Sequence, residues 1–173
     1  MQVNAISTAD RAKQMEIEAN SFSAQLLLPA PYFAKDLRKL KRLDIEHIQS
    51  LANRYDTSKE APARRYVELN DELSKAVVSQ GRKILRAYRA KEFPYIEPRF
   101  GDEPPHLSRS FSAIGPVGET TEWMEVDAAA WLPSGPGKTL PQMYEQVQHQ
   151  RNGYMLTLLS IESVDEDEDS ADE

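Results

Sequence analysis

Apolar residues recur at helical spacing through the first ninety positions of this chain, and the pattern stops at a Pro-rich stretch just after Glu92. That break separates a helical part from a second part of different texture, which predicts an α+β protein. Met15, Ala19, Phe22 and Leu26 fall at i, i+4, i+7 and i+11, the spacing of one buried helical stripe. Glu16, Asn20 and Ser23 form a polar stripe beside it. A carboxylate at the border of a buried face can reach a metal or a partner while its helix stays packed. The plainer reading is an amphipathic helix with Glu16 and Glu18 solvated. Pro29 and Pro31 stop this helix, because Pro lacks the amide donor and disfavours helical geometry in the preceding residue.

Residues 44–92 read as helical throughout. Ile45, Ile48, Leu51, Ala52 and Tyr55 make a short amphipathic helix. Thr57-Ser58-Lys59-Glu60 has the form of a capping box, with Pro62 falling close behind it. Tyr66, Leu69, Leu73, Ala76, Val77, Ile84, Leu85 and Tyr88 then continue at helical period, which predicts one long connecting helix weakened at Gly81. The pair at 44–70 has the outline of a helix-turn-helix, a DNA-reading unit. Asp56 stands where a turn Gly is common, and Pro62 and Arg65 occupy inward positions, so the pair also reads as a packing unit. Two basic sets are candidates for phosphate or partner contacts: Lys35, Arg38, Lys39, Lys41 and Arg42, and then Arg82, Lys83, Arg86, Arg89 and Lys91. Arg64 and Arg65 join them as candidates. Each set is equally readable as a wet helix face.

Beyond Glu92 a Pro-rich connection leads into strand-like segments at Ser110–Val117 and Thr120–Val126. Gly137-Lys138-Thr139 is no phosphate loop: Leu132 stands where the leading Gly should be and Pro136 removes an amide donor. Asn152-Gly153 is a two-residue hairpin signal. It would pair Val147 with Leu158 and His149 with Leu156. Leu156 and Leu158 then share one face while Met155, Leu159 and Ile161 take the other, so this strand is expected to be covered on both sides. The resulting division is a helical region at 1–92, a small β-rich accessory module at 93–161, and a tail at 162–173.

The tail holds Glu162, Asp165, Glu166, Asp167, Glu168, Asp169, Asp172 and Glu173 and no base. It accounts for the net charge of -7, since the body carries 21 bases against 20 acids. Such a block is expected to be disordered, because it has almost no apolar surface to offset its ordering entropy. No apolar run approaches the roughly 20 residues of a membrane span. No basic-then-apolar leader opens the sequence, and there is no Cys, which together lead to an expected cytoplasmic location without membrane partners.

Glu16-Ile17-Glu18-Ala19-Asn20-Ser21-Phe22-Ser23-Ala24-Gln25-Leu26-Leu27-Leu28-Pro29 resembles a segment of the ImmA/IrrE family of zinc metallopeptidases. The likeness continues through Ile48, Leu51-Ala52, Tyr55, Thr57-Ser58, Ala61, Arg64-Arg65-Tyr66 and Leu69, and covers about residues 14–70. The resemblance implies a gluzincin. Two His at i and i+4 on one helix hold zinc, the Glu between them is the general base, and a Glu from a later helix completes the ligand set. Glu16 matches that later Glu.

The remaining functional residues have no counterpart here. His47, His106 and His149 lie far apart, and none is four residues from another. A single carboxylate cannot hold catalytic zinc, which needs about three protein ligands. The expected protein is therefore a truncated gluzincin-like region that binds no zinc alone and assigns no catalytic residue, with an upstream-encoded His-Glu-x-x-His segment as an expected partner. By resemblance, its substrates would be regulatory proteins such as transcriptional regulators. The alternative is a non-catalytic regulator that binds DNA or protein through the helix-turn-helix-like pair or the β module.

Overall fold

The computed structural model describes residues 11, 15, 18, 19, 22, 23, 25–40, 43–112 and 115–162. Glu16, Asn20, Lys41, Arg42 and the tail from residue 163 lie outside the described residues. The described residues from 11 to 27, Leu27 included, are helical. Leu28 and Pro29 break the helix, and the chain turns at once into helix α1, Ala30–Leu37. Pro31 therefore opens a helix rather than ending one; in the first turn its missing amide costs nothing.

Helix α2 spans Ile45–Tyr55. Asp44 caps it by accepting from the Glu46 N–H at 2.7 Å. Asp56 closes it in the left-handed conformation, at φ 50°, which puts the short polar side chain in the role a Gly often takes. Helix α3, Glu60–Leu69, starts without a side-chain cap. The expected capping box does not form: Glu60 turns away to Arg86 and Tyr88 instead. Pro62 is the third residue of α3, where no intrahelical amide is needed.

The expected long connecting helix is replaced by a β-hairpin. Strand β1, Ser74–Gln80, and strand β2, Lys83–Arg89, pair antiparallel around Gly81 and Arg82, at φ 54° and 64°. The helical spacing of Ala76, Val77, Ile84 and Leu85 misled because β1 is covered on both faces. Such a strand is apolar on both sides, and its pattern fits a helical template as well as a strand one. Gly81 is the turn residue of this hairpin rather than a weak point in a helix.

Strands β3 (Met124–Val126), β4 (Met143–His149) and β5 (Tyr154–Ile161) complete one antiparallel sheet of order β2-β1-β5-β4-β3. Two short helices, α4 (Arg109–Ser112) and α5 (Ala128–Trp131), lie in the connection between β2 and β4. The expected strand at 110–117 is thus a helical turn at its start, and of the expected strand at 120–126 only the last three residues and a bridge at Thr120 pair. The α+β class holds, with strands drawn from both sides of the expected boundary at Glu92.

The Asn152-Gly153 turn forms with both residues at positive φ. Its register is one residue off the expected one: Val147 pairs with Thr157 and Gln148 with Leu156. The Gln150 N–H donates to the Tyr154 carbonyl at 2.8 Å, so Arg151 joins the loop as a third residue. The alternation within β5 survives, because it belongs to the strand itself. Leu156 and Leu158 face one core with Ala76 and Val78, while Leu159 and Ile161 face a second with Val77. Leu28, Phe33, Leu37, Ile48, Leu51, Tyr66 and Val67 cover the first face. Phe93, Ala128, Trp131 and Leu132 cover the second. Among the described residues no helix is long and apolar enough to cross a membrane.

Candidate functional site

The stripe Met15, Ala19, Phe22 and Leu26 is not buried. Phe22 is 67% exposed and Leu26 68%, whereas Leu28, two residues on, is fully buried. Leu28 docks beside Phe33 in the first core, and Arg65 Nε donates to its carbonyl at 3.2 Å. The helix is therefore anchored at its C-terminal end while its apolar face stays open to solvent. Burying each such side chain would contribute about 1.5–3 kcal/mol. Exposed apolar side chains gathered on one face are a candidate interaction surface.

The polar flank of the same helix lines a cleft. Ser23 and Leu27 face Glu60, Arg64 and Glu68 of α3 and Arg86 and Tyr88 of β2 around a volume of about 600 Å³. The charges in this cleft are paired internally. Glu60 accepts from the Tyr88 hydroxyl at 2.6 Å and from Arg86 Nη2 at 3.2 Å. Arg64 Nε donates to Glu68 at 2.7 Å, and its guanidinium lies 5.4 Å from the Tyr88 ring centroid. Burial, and then the bond to Glu60, pushes the Tyr88 hydroxyl above the ordinary tyrosine range, so it stays a neutral donor. The cleft offers a shaped, charge-compensated wall beside an apolar helix face.

The candidate cations divide in the same way. Lys39 donates to the buried Asp36 at 2.9 Å, and Arg54 approaches the same carboxylate at 3.2 Å. Asp36 also accepts from the Tyr55 hydroxyl at 2.9 Å. The Lys39 hydrogen bond leads the effects that hold its carboxyl below the ordinary range. Asp36 thus ties α1 to α2 and neutralises part of the basic set. Lys35 on α1 and Arg38 just past its end are exposed. Arg64 and Arg65 are both engaged by Glu68, and α3 packs against α2, β1 and β2. These contacts belong to a packing unit.

The three His are not brought together. His47 sits on α2, His106 packs on Phe111 with ring centroids 4.1 Å apart, and His149 ends β4. Among the described residues no group of three His, Asp or Glu could hold a metal. The zinc that the resemblance implies therefore has no donor set among the described residues. Three buried charged groups carry no sequence expectation: Asp36 on α1, Lys75 on β1 and Glu145 on β4. A Lys directly before Ala76-Val77-Val78 is the available signal for Lys75.

Comparison with protein-family models and with curated proteins finds no match for this chain.

Proposed function

We propose that this chain is a portion of an ImmA/IrrE-like zinc metalloendopeptidase that cleaves regulatory proteins in the cytoplasm, and that it is inactive by itself. The likeness of residues 14–70 to that family is one support. The observation that carries the reading is the open stripe Phe22–Leu26 on a helix whose end is anchored by the buried Leu28. The occupant we assign to that stripe is a His-Glu-x-x-His helix, on the same polypeptide or a separate one. Its two His and the Glu16 carboxylate would together meet the three-ligand requirement of catalytic zinc. The role of this chain's own residues is to supply the docking face, with Ser23 and Leu27 at the edge of the cleft where a substrate strand can lie.

Reading the coding sequence ahead of the Met1 codon tests the proposal. An in-frame His-Glu-x-x-His, or one in a protein that co-purifies with this chain, is the expected result. Stop codons there, together with native material lacking any such partner, would remove the reading. The regulator that reads DNA through α2 and α3 has less support, because Arg64 and Arg65 are held by Glu68 and the Leu28 carbonyl.

A further inference from the structure

On the sheet face opposite α2 and α3, β1 and β2 form the floor of a second cleft, with Tyr95, Ile96 and residues 98–100 as its wall and a volume of about 460 Å³. Lys75 lies at its base and is only 4% exposed. Its ammonium is 5.9 Å from the Phe93 ring centroid. Burial and the nearby Arg89 are what perturb it, and no carboxylate among the described residues compensates it. A buried cation without an anion is costly, and a ligand that supplies the anion recovers that cost. Arg89 and Arg99 line the same cleft, Arg86 reaches it while paired with Glu60 of α3, and no described Asp or Glu lines it.

The cleft is built before any ligand arrives. Arg89 Nη1 donates to the Lys91 and Phe93 carbonyls at 2.8 and 2.7 Å, and its guanidinium lies 4.2 Å from the Tyr95 ring centroid. The wall is stitched to β2: Ile84 N–H donates to the Asp102 carbonyl, and Gly101 N–H to the Ile84 carbonyl, both at 2.8 Å. Asp102 accepts from the Arg99 amide at 2.7 Å, which ties off the loop. Phe100, 78% exposed, stands at the mouth with a ring open for stacking. A fixed guanidinium such as that of Arg89 suits the oxygens of a phosphate, and a fixed group saves ordering entropy on binding.

We propose that this cleft binds a nucleoside monophosphate, with the phosphate on Lys75, Arg89 and Arg99 and the base on Phe100. This site is separate from the helix face assigned to the peptidase partner, so either reading can fail alone. The test is calorimetric titration of the full chain with adenosine monophosphate, adenosine, ribose 5-phosphate and a short oligothymidylate. Adenosine monophosphate should bind one to one, and the two fragments should each bind at least about tenfold more weakly. Lys75→Met and Arg99→Ala should each abolish or greatly weaken nucleotide binding. Phe100→Ala should weaken the nucleotide by roughly tenfold, the scale of one base–aromatic stack, and leave ribose 5-phosphate unchanged. Arg99 and Phe100 are exposed loop residues, so their variants report even if Lys75→Met were to misfold. No saturable nucleotide binding, equal affinity for ribose 5-phosphate, indifference to Arg99→Ala, or binding of the oligonucleotide alone would each overturn the proposal.

Discussion

Gln146 on β4 clamps the start of α2 to the sheet by two hydrogen bonds: its Nε2 donates to Asp44 at 3.0 Å and its Oε1 accepts from the Ile45 N–H at 2.9 Å. The two partners stand 102 residues apart in sequence. Asp44 meanwhile caps the helix through its other oxygen, so one side-chain pair joins the helical layer to the β layer. Gln146→Leu should leave the Ile45 amide buried without an acceptor and cost about 1–3 kcal/mol. Urea denaturation followed by circular dichroism measures it, and a change below about 0.5 kcal/mol would show that the clamp is idle.

The open helix predicts a contrast between neighbours. Leu28→Ala should destabilise by about 2–5 kcal/mol, as expected for a fully buried core side chain. Phe22→Ser and Leu26→Ser should each stay within about 0.5 kcal/mol, because their side chains are mostly in water already. The same denaturation experiment on three variants decides it. A large loss at Phe22 would mean that this face is covered within the chain.

Lys75 gives a pH signature. Burial, with Arg89 beside it, pushes its ammonium down to about 8 from an ordinary value of 10.5. Between those values the unfolded chain holds the proton and the folded chain has lost it, so this group makes stability rise with pH. Below about pH 8 the full penalty of the buried charge remains. Lys75→Met should therefore raise stability at pH 7 by about 1–2 kcal/mol. The gain should shrink as pH climbs from 8 toward 10. Comparing the two proteins at each pH cancels Tyr66 and Tyr88, whose hydroxyls are raised and would lower stability above pH 10. A stabilised variant that no longer binds the nucleotide would mark Lys75 as a binding residue rather than a structural one.

Glu145 should behave in the opposite sense. Burial raises its carboxyl, against hydrogen bonds from the Ser108 hydroxyl, the Arg109 N–H at 2.9 Å, and Ser110. A raised carboxylic acid contributes stability that is complete below its ordinary value of 4.5 and lost as pH rises through the folded value. Ser108→Ala removes a donor to the carboxylate, so it should cost about 1–3 kcal/mol at neutral pH and less in acid. Glu145→Gln should flatten the pH dependence above 4.5. Denaturation midpoints at several pH values check both, and a Ser108→Ala loss independent of pH would contradict this assignment.

Legibility in the sequence followed how much of each element is decided locally. Helix α2 was readable from Ile45, Ile48, Leu51 and Tyr55, because one apolar stripe and a cap suffice to specify it. The Asn152-Gly153 turn was readable too, since only a few residue types accept its backbone angles. Its register was not, because Arg151 joins the loop through a bond between Gln150 and Tyr154 that no residue type announces. The β1–β2 hairpin was lost for a related reason: with both faces buried, the strand shows no polar alternation to betray it. The cleft at Lys75 was invisible because Tyr95, Ile96 and residues 98–100 reach it only through the hairpin and loop geometry. The exposure of Phe22 and Leu26 could not be foreseen, since periodicity shows that a face is apolar and not what covers it.

On the proposed reading, Glu16 and the exposed Phe22 and Leu26 meet a zinc-holding helix. Zinc analysis of the native assembly, with and without Glu16→Gln, tests it most directly. One zinc per chain is expected in an assembly containing His-Glu-x-x-His, with loss of most of that zinc in the Glu16→Gln variant. Stoichiometric zinc in this chain alone, or zinc in the assembly that is indifferent to Glu16→Gln, would contradict it.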